Sequence, residues 1–209
     1  MKREDILRYL KSKGMKNPQI EGLIDEVIDE VKKIATPKYI YGFYEIKKTE
    51  NIHILNTKVY IESSNLMNHL KDCDSIAIMA ATLGMEVDRV IRINEKIDLT
   101  KSVITDAVAT AYIEEICDEV QEKIRIESGV KITSRFSPGY GDLKIETQKD
   151  ILPLINAHMI GLTLTKSMMM IPRKSVTAFI GLCESDIKTK SKCETCCERE
   201  TCVYSSQIY

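Results

Sequence analysis

The amino-acid sequence predicts an α+β chain, and three observations carry that reading. Apolar side chains recur three and four positions apart over residues 20–34 and again over 103–124, the period of a helix with one buried face. Residues 38–61 are instead rich in aromatic and β-branched side chains, which fit a pleated, half-buried surface. Two short apolar runs, Ser75–Ala81 and Val176–Leu182, have the length of strands, the first read as a buried central one.

The elements follow in order. Residues 2–13 place Ile6, Leu7 and Leu10 on one face and stop at Gly14, a residue suited to a left-handed helix end. Asn17-Pro18 restarts a helix as cap and first helical residue, and Pro37 ends it. Tyr39, Tyr41, Phe43, Ile52, Ile54, Val59 and Ile61 mark two or three strands. Ser63 or Ser64 caps a short helix through Leu66, Met67 and Leu70. After the central strand a helix runs from about Met85 to Asn94. Asp98 or Thr100 then caps a long one, closed by Gly129, whose Ala107, Ala109 and Ala111 allow close approach of another element. A further helix from about Ile145 contains Pro153, which forces a kink or an early end. Ile160, Leu162 and Leu164 alternate as a strand, and Met168, Met169 and Met170 form a soft apolar patch that reads first as core filling and second as a surface for a flat macrocycle.

Charge and composition remove several classes of function. Thirty basic against 31 acidic residues leave a formal charge of −1, without the basic surface that nucleic acid requires. No apolar run approaches a membrane span, and the charged, amphipathic start MKREDILRYLKSKG lacks the apolar centre of a signal peptide, so a cytoplasmic protein is expected. In that compartment the seven cysteines read as thiols or metal ligands rather than disulfides.

Two stretches carry the chemistry. The segment SRFSPGYGDLKIETQ, residues 134–148, reads as a turn: Pro138 fixes φ, and Gly139 and Gly141 permit positive φ and close backbone approach. Bare glycine amides beside Arg135 suit an anionic or carboxylate-bearing ligand, and Tyr140 would be held out from a rigid loop in the same groove; a plain strand-to-helix connection is the alternative. The tail places Cys193, Cys196, Cys197 and Cys202 within ten positions, with Cys183 ten residues before the first. A C-x-x-C pair turns two thiolates to one ion, and the adjacency of Cys196 and Cys197 makes Cys183 a candidate fourth ligand, for zinc or an iron–sulfur cluster. His53, His69 and His158 are isolated. Asn156-Ala157-His158-Met159-Ile160-Gly161 approaches a corrinoid-binding histidine motif, but the chain lacks the glycine pairs of such a domain.

The 134–148 turn, followed by Ile160-Gly161-Leu162-Thr163-Leu164-Thr165-Lys166-Ser167 and Ile171-Pro172-Arg173-Lys174-Ser175-Val176, resembles the activation (reactivation) domain of cobalamin-dependent methionine synthase, in the style of its free-standing relatives. Ala81-Thr82-Leu83-Gly84, Asp88, Asp106 and Ala107 are similar to the first half of the same family, so the resemblance covers roughly residues 35–187. It implies a twisted, mostly antiparallel sheet flanked by helices. It divides the chain into an N-terminal helical pair at 1–36, an activation-domain-like unit at 37–187 and a Cys-rich tail at 188–209. It further implies S-adenosylmethionine as ligand and a partner corrinoid (cobalamin-binding) protein or methyltransferase, with an electron donor, whose cobalt is reductively reactivated and remethylated. Arg135 would hold the ligand's carboxylate, Gly139 would lend its backbone between Pro138 and Gly141, and Tyr140 would face the cobalt as the catalytic-side residue. Thr110 stands where the family has a ligand-binding glutamate, with Glu114 one turn later as its substitute. The family's tryptophan-containing acidic segment and its tyrosine pair after the last strand have no counterpart. The expected role is therefore accessory to cobalamin-dependent methyl transfer in methionine biosynthesis, not a complete methyltransferase. The alternatives are a non-catalytic adaptor and a small iron–sulfur electron-transfer protein.

Overall fold

The computed structural model describes residues 1–10 and 18–183. Helices α1 (Arg3–Tyr9) and α2 (Pro18–Ile34) lead into β1 (Lys38–Lys48), β2 (Ile52–Ile54), β3 (Tyr60–Ile61), α3 (Ser64–His69) and β4 (Ser75–Thr82). Then come α4 (Met85–Ile97), α5 (Leu99–Ser128), β5 (Lys131–Ile132), α6 (Gln148–Leu154), β6 (Thr163–Leu164), β7 (Met170–Ile171) and β8 (Ser175–Cys183). Six strands form one sheet in the order β3-β2-β1-β4-β8-β5, with antiparallel pairing throughout, and β6 and β7 make a separate hairpin. This is the α+β architecture read from the sequence.

Both faces of the sheet are covered, which is why β4 is apolar at nearly every position. Ala77, Met79 and Ala81 join Ala178, Ile180 and Leu182 of β8 in a core shared with α1, α2, α4 and α5. The alternate residues Ile76, Ile78 and Ala80, with Phe179, pack into a second core with Leu66 and Leu70 of α3 and Ile151 and Leu152 of α6. At 1.5 Å per residue the 30-residue α5 is about 45 Å long, against eight residues for the central strand β4. Asp98 caps it, its side chain accepting from the Lys101 amide at 3.0 Å, and Gly129 ends it at φ 67°. The cap contributes about 1 kcal/mol.

Three expectations are corrected. Leu10 is the C-cap of α1, which ends at Tyr9; Gly14 lies outside the described residues. Ile160 closes a 3-10 turn, Ala157–Ile160, and only Thr163–Leu164 of the alternating stretch is strand. The cysteines are not all thiols or metal ligands: Cys183, at the end of β8, is disulfide-bonded to Cys73, 110 positions earlier, and both are buried. Asp74 lies opposite Cys183 by continuation of the β4–β8 register, and that juxtaposition delivers the two sulfurs to each other. Pro153 lies one residue before the end of α6, so the helix does stop early.

Candidate functional site

The turn after β5 is fixed at both ends. Thr133 donates its amide to the Gly181 carbonyl at 2.9 Å, and Phe136 and Phe179 exchange amide-to-carbonyl hydrogen bonds at 2.9 and 2.8 Å, holding residues 133–136 along the outer edge of β8. Pro138 is buried, while Gly139 and Gly141 take φ of +94° and +55°. The far end is held by Asp142, whose carboxylate accepts from the Ser63 hydroxyl and from the amides of Ser64 (2.7 Å) and Asn65 (3.1 Å) at the start of α3. Those donors, the Ser63 hydroxyl first, hold the Asp142 carboxyl below the ordinary carboxylate range. Ser63 is itself the cap of α3, accepting from the Leu66 amide at 3.0 Å.

This arrangement sends the two ends of the turn to opposite faces of the sheet. Arg135 reaches α5: its guanidinium donates to Asp118 at 2.7 Å, Glu114 at 2.8 Å and Gln121 at 3.0 Å, and its side chain is only 6% exposed. Burial pulls its pKa down, and Cys117, Asp118 and Glu114 together more than offset that, leaving it above the ordinary guanidinium value. Tyr140, on the α3 side, is 66% exposed. The structure therefore brings Arg135 and Glu114 together, while Tyr140 stands exposed on the same turn. The Gly139 amide is also engaged, donating to the Leu143 carbonyl at 2.8 Å, so it is not the bare donor that the sequence implied.

Beside Arg135 an open cleft of about 580 Å³ is lined by Asp118, Gln121, Glu122, Arg125, Lys131 and Ile132. Glu114, Asp118 and Gln121 stand at i, i+4 and i+7 on α5, one helical face, a spacing from which the last two could have been found. One turn back along α5, Lys174 is bound by Asp106 and Thr110, both at 2.8 Å, so Thr110 receives a lysine of its own chain. Met169 is 51% exposed on the β6–β7 hairpin, whereas Met170 packs against the second core. His158 is exposed, and His69 is held by its ring Nε2 to the Ser134 carbonyl at 2.8 Å, beneath the turn.

Among the described residues no three histidine, cysteine or carboxylate side chains cluster as metal ligands. Cys193, Cys196, Cys197 and Cys202 lie outside the described residues. Cys183 leaves the proposed ligand set, because a disulfide sulfur has no thiolate to offer an ion.

Neither a protein-family model nor a curated protein matches this sequence. Among solved structures, the MetH reactivation domain, crystallised bound to AdoHcy, matches over 88% of this chain and 75% of its own, with a TM-score of 0.65 at 18% identity. The fold is that of the methionine synthase reactivation domain.

Proposed function

We propose that this chain is an accessory protein for corrinoid-dependent methyl transfer: it binds S-adenosylmethionine or S-adenosylhomocysteine and docks on a corrinoid protein whose cobalt is returned to its working state. The observation that carries the reading is the fold shared with a domain crystallised with AdoHcy. S-adenosylmethionine would supply a methyl group, leaving S-adenosylhomocysteine, and an external donor would supply the electron, to a cobalt held by the partner. What this chain contributes is binding and positioning. A ligand carboxylate would displace Asp118, 65% exposed, from the Arg135 guanidinium, while Glu114 stays to receive an ammonium group. Tyr140, exposed on a turn pinned to α3 by Asp142, would meet a flat partner surface, a role that its exposure supports. Cys193, Cys196, Cys197 and Cys202 would hold zinc or an iron–sulfur cluster, the latter serving electron delivery.

Calorimetric titration of S-adenosylmethionine and of S-adenosylhomocysteine into the full chain tests the ligand half, with saturable binding expected. No heat with either ligand leaves the adaptor reading, which one observation favours: Arg135 and the Gly139 amide are already satisfied within the protein.

A further inference from the structure

We propose that the pocket formed by Asp88, Ile91, Asp106, Arg173 and Lys174 receives the head group of an α-amino acid, its ammonium on Asp88 and its carboxylate on Arg173. Three stretches far apart in sequence converge there. Arg173 donates its backbone amide to Asp88 Oδ2 at 2.6 Å, Leu83 donates its amide to the Lys174 carbonyl at 3.0 Å, and the Ser175 hydroxyl donates to Thr82 Oγ1 at 2.8 Å. Those bonds make the pocket rigid, but they do not use all of its polar groups.

Asp88 is 5% exposed, and its second oxygen, Oδ1, is closed to solvent and has no hydrogen-bond partner, so the carboxylate must turn slightly for an ammonium to reach it. A buried carboxylate oxygen left without a donor destabilises the fold, which points to a use for it. A structural latch needs only Oδ2, which the Arg173 amide occupies. On the same pocket the Arg173 side chain is exposed and forms no ion pair among the described residues. Lys174 is committed to Asp106 and Thr110 on the far wall. The lining carries two acidic and two basic side chains, a balance that disfavours a bare cation or a bare anion and suits a zwitterion. An unspent carboxylate oxygen takes an ammonium, and an unspent guanidinium takes a carboxylate in bidentate fashion.

Size agrees. The pocket holds about 90 Å³, the space of about three waters at ~30 Å³ each and well short of the ~150 Å³ that accommodates a benzene ring. An ammonium and a carboxylate on one carbon fit, and the rest of the molecule must lie outside. The head group could thus belong to a free amino acid or to the amino-acid end of a larger ligand.

The test is an NMR titration of the full chain with L-alanine, followed at the Arg173 amide, beside parallel titrations with methylammonium and with acetate. L-alanine should saturate, and each half-probe should bind at least about tenfold more weakly, because each leaves one charge unpaired. Asp88→Asn, which keeps an acceptor for the Arg173 amide, should weaken L-alanine about tenfold or more. Arg173→Gln alters only an exposed side chain and provides the same reading should Asp88→Asn fail to fold. Absence of saturation, or equal affinity in the wild type and the foldable variants, overturns the proposal. Displacement of bound L-alanine by S-adenosylhomocysteine would identify the larger ligand as the source and move its head group here from Arg135 and Glu114; bound L-alanine that it leaves in place would identify a free amino acid and leave that placement standing. L-alanine binding in a chain that fails to bind S-adenosylhomocysteine keeps this site and removes the function proposed above.

Discussion

Arg135 and Asp88 are both largely buried charges, and they differ in how fully they are satisfied. Arg135 donates to three side chains, Glu114, Asp118 and Gln121, all from one helical face. Asp88 has one oxygen bonded and one free. Taking a charge out of water is repaid only when its hydrogen-bonding capacity is filled. The first site thus holds the fold together as it stands, and a ligand must compete for it. The second is left incomplete by the fold itself.

The largest expected effect breaks the satisfied site. Arg135→Ala strips the partner from Glu114 and Asp118 and opens space beneath the turn, and should cost about 2–3 kcal/mol. Glu114 and Asp118 are 39% and 65% exposed and can regain water, which keeps the loss below that of a fully buried pair. Urea unfolding measures it, and a loss under about 0.5 kcal/mol would make the cluster ornamental. Asp88→Asn should move the other way or not at all, from zero to about 1 kcal/mol stabilising, because it removes a buried charge and keeps the bond to the Arg173 amide. If both substitutions destabilise equally, the distinction between a filled and an unfilled site fails.

The sequence revealed one of these sites and not the other, for a physical reason. Period and caps are local, so β4, α5 with Asp98 and Gly129, and the early stop at Pro153 could be read directly. The turn at 134–148 was legible because proline and glycine constrain the backbone wherever they stand. What the turn touches was not: Asp142 meets α3 from 78 positions away, and Arg135 meets α5 across the sheet edge. Asp88, Arg173 and Lys174 were noticed only as members of separate motifs, and it is the β4–β8 register that joins them. Ile160-Gly161-Leu162 misled because three alternating apolar residues fit a 3-10 turn as well as a strand, and Cys73 gave no sign of its partner.

Between the two charged sites in size of effect lies the anchor of the turn. Asp142→Asn keeps an acceptor for the α3 amides but loses the charge, so the variant should unfold at slightly lower urea at neutral pH and match the wild type in acid. The sign follows from the lowered carboxyl pKa: its stabilisation is full above the unfolded carboxylate value and disappears as pH falls through the lower folded one. A gap between the two proteins that persists unchanged to acid pH would show that shape, not charge, holds the turn.

The smallest effect is titration beneath that turn. Burial lowers the His69 pKa below 6.5, and the hydrogen bond to the Ser134 carbonyl only partly counters it. The unfolded chain therefore takes up a proton near pH 6.5 that the folded chain refuses, so stability should fall as pH drops from about 6.5 toward the folded value and stay flat above it. One proton sets the ceiling at about 1.4 kcal/mol per pH unit. His69→Gln can still donate to the Ser134 carbonyl and cannot titrate. Urea midpoints between about pH 7.5 and about pH 5.5 should fall more steeply for the wild type than for the variant, and parallel lines would place the histidine in water rather than against Phe136, whose ring lies 5.2 Å away.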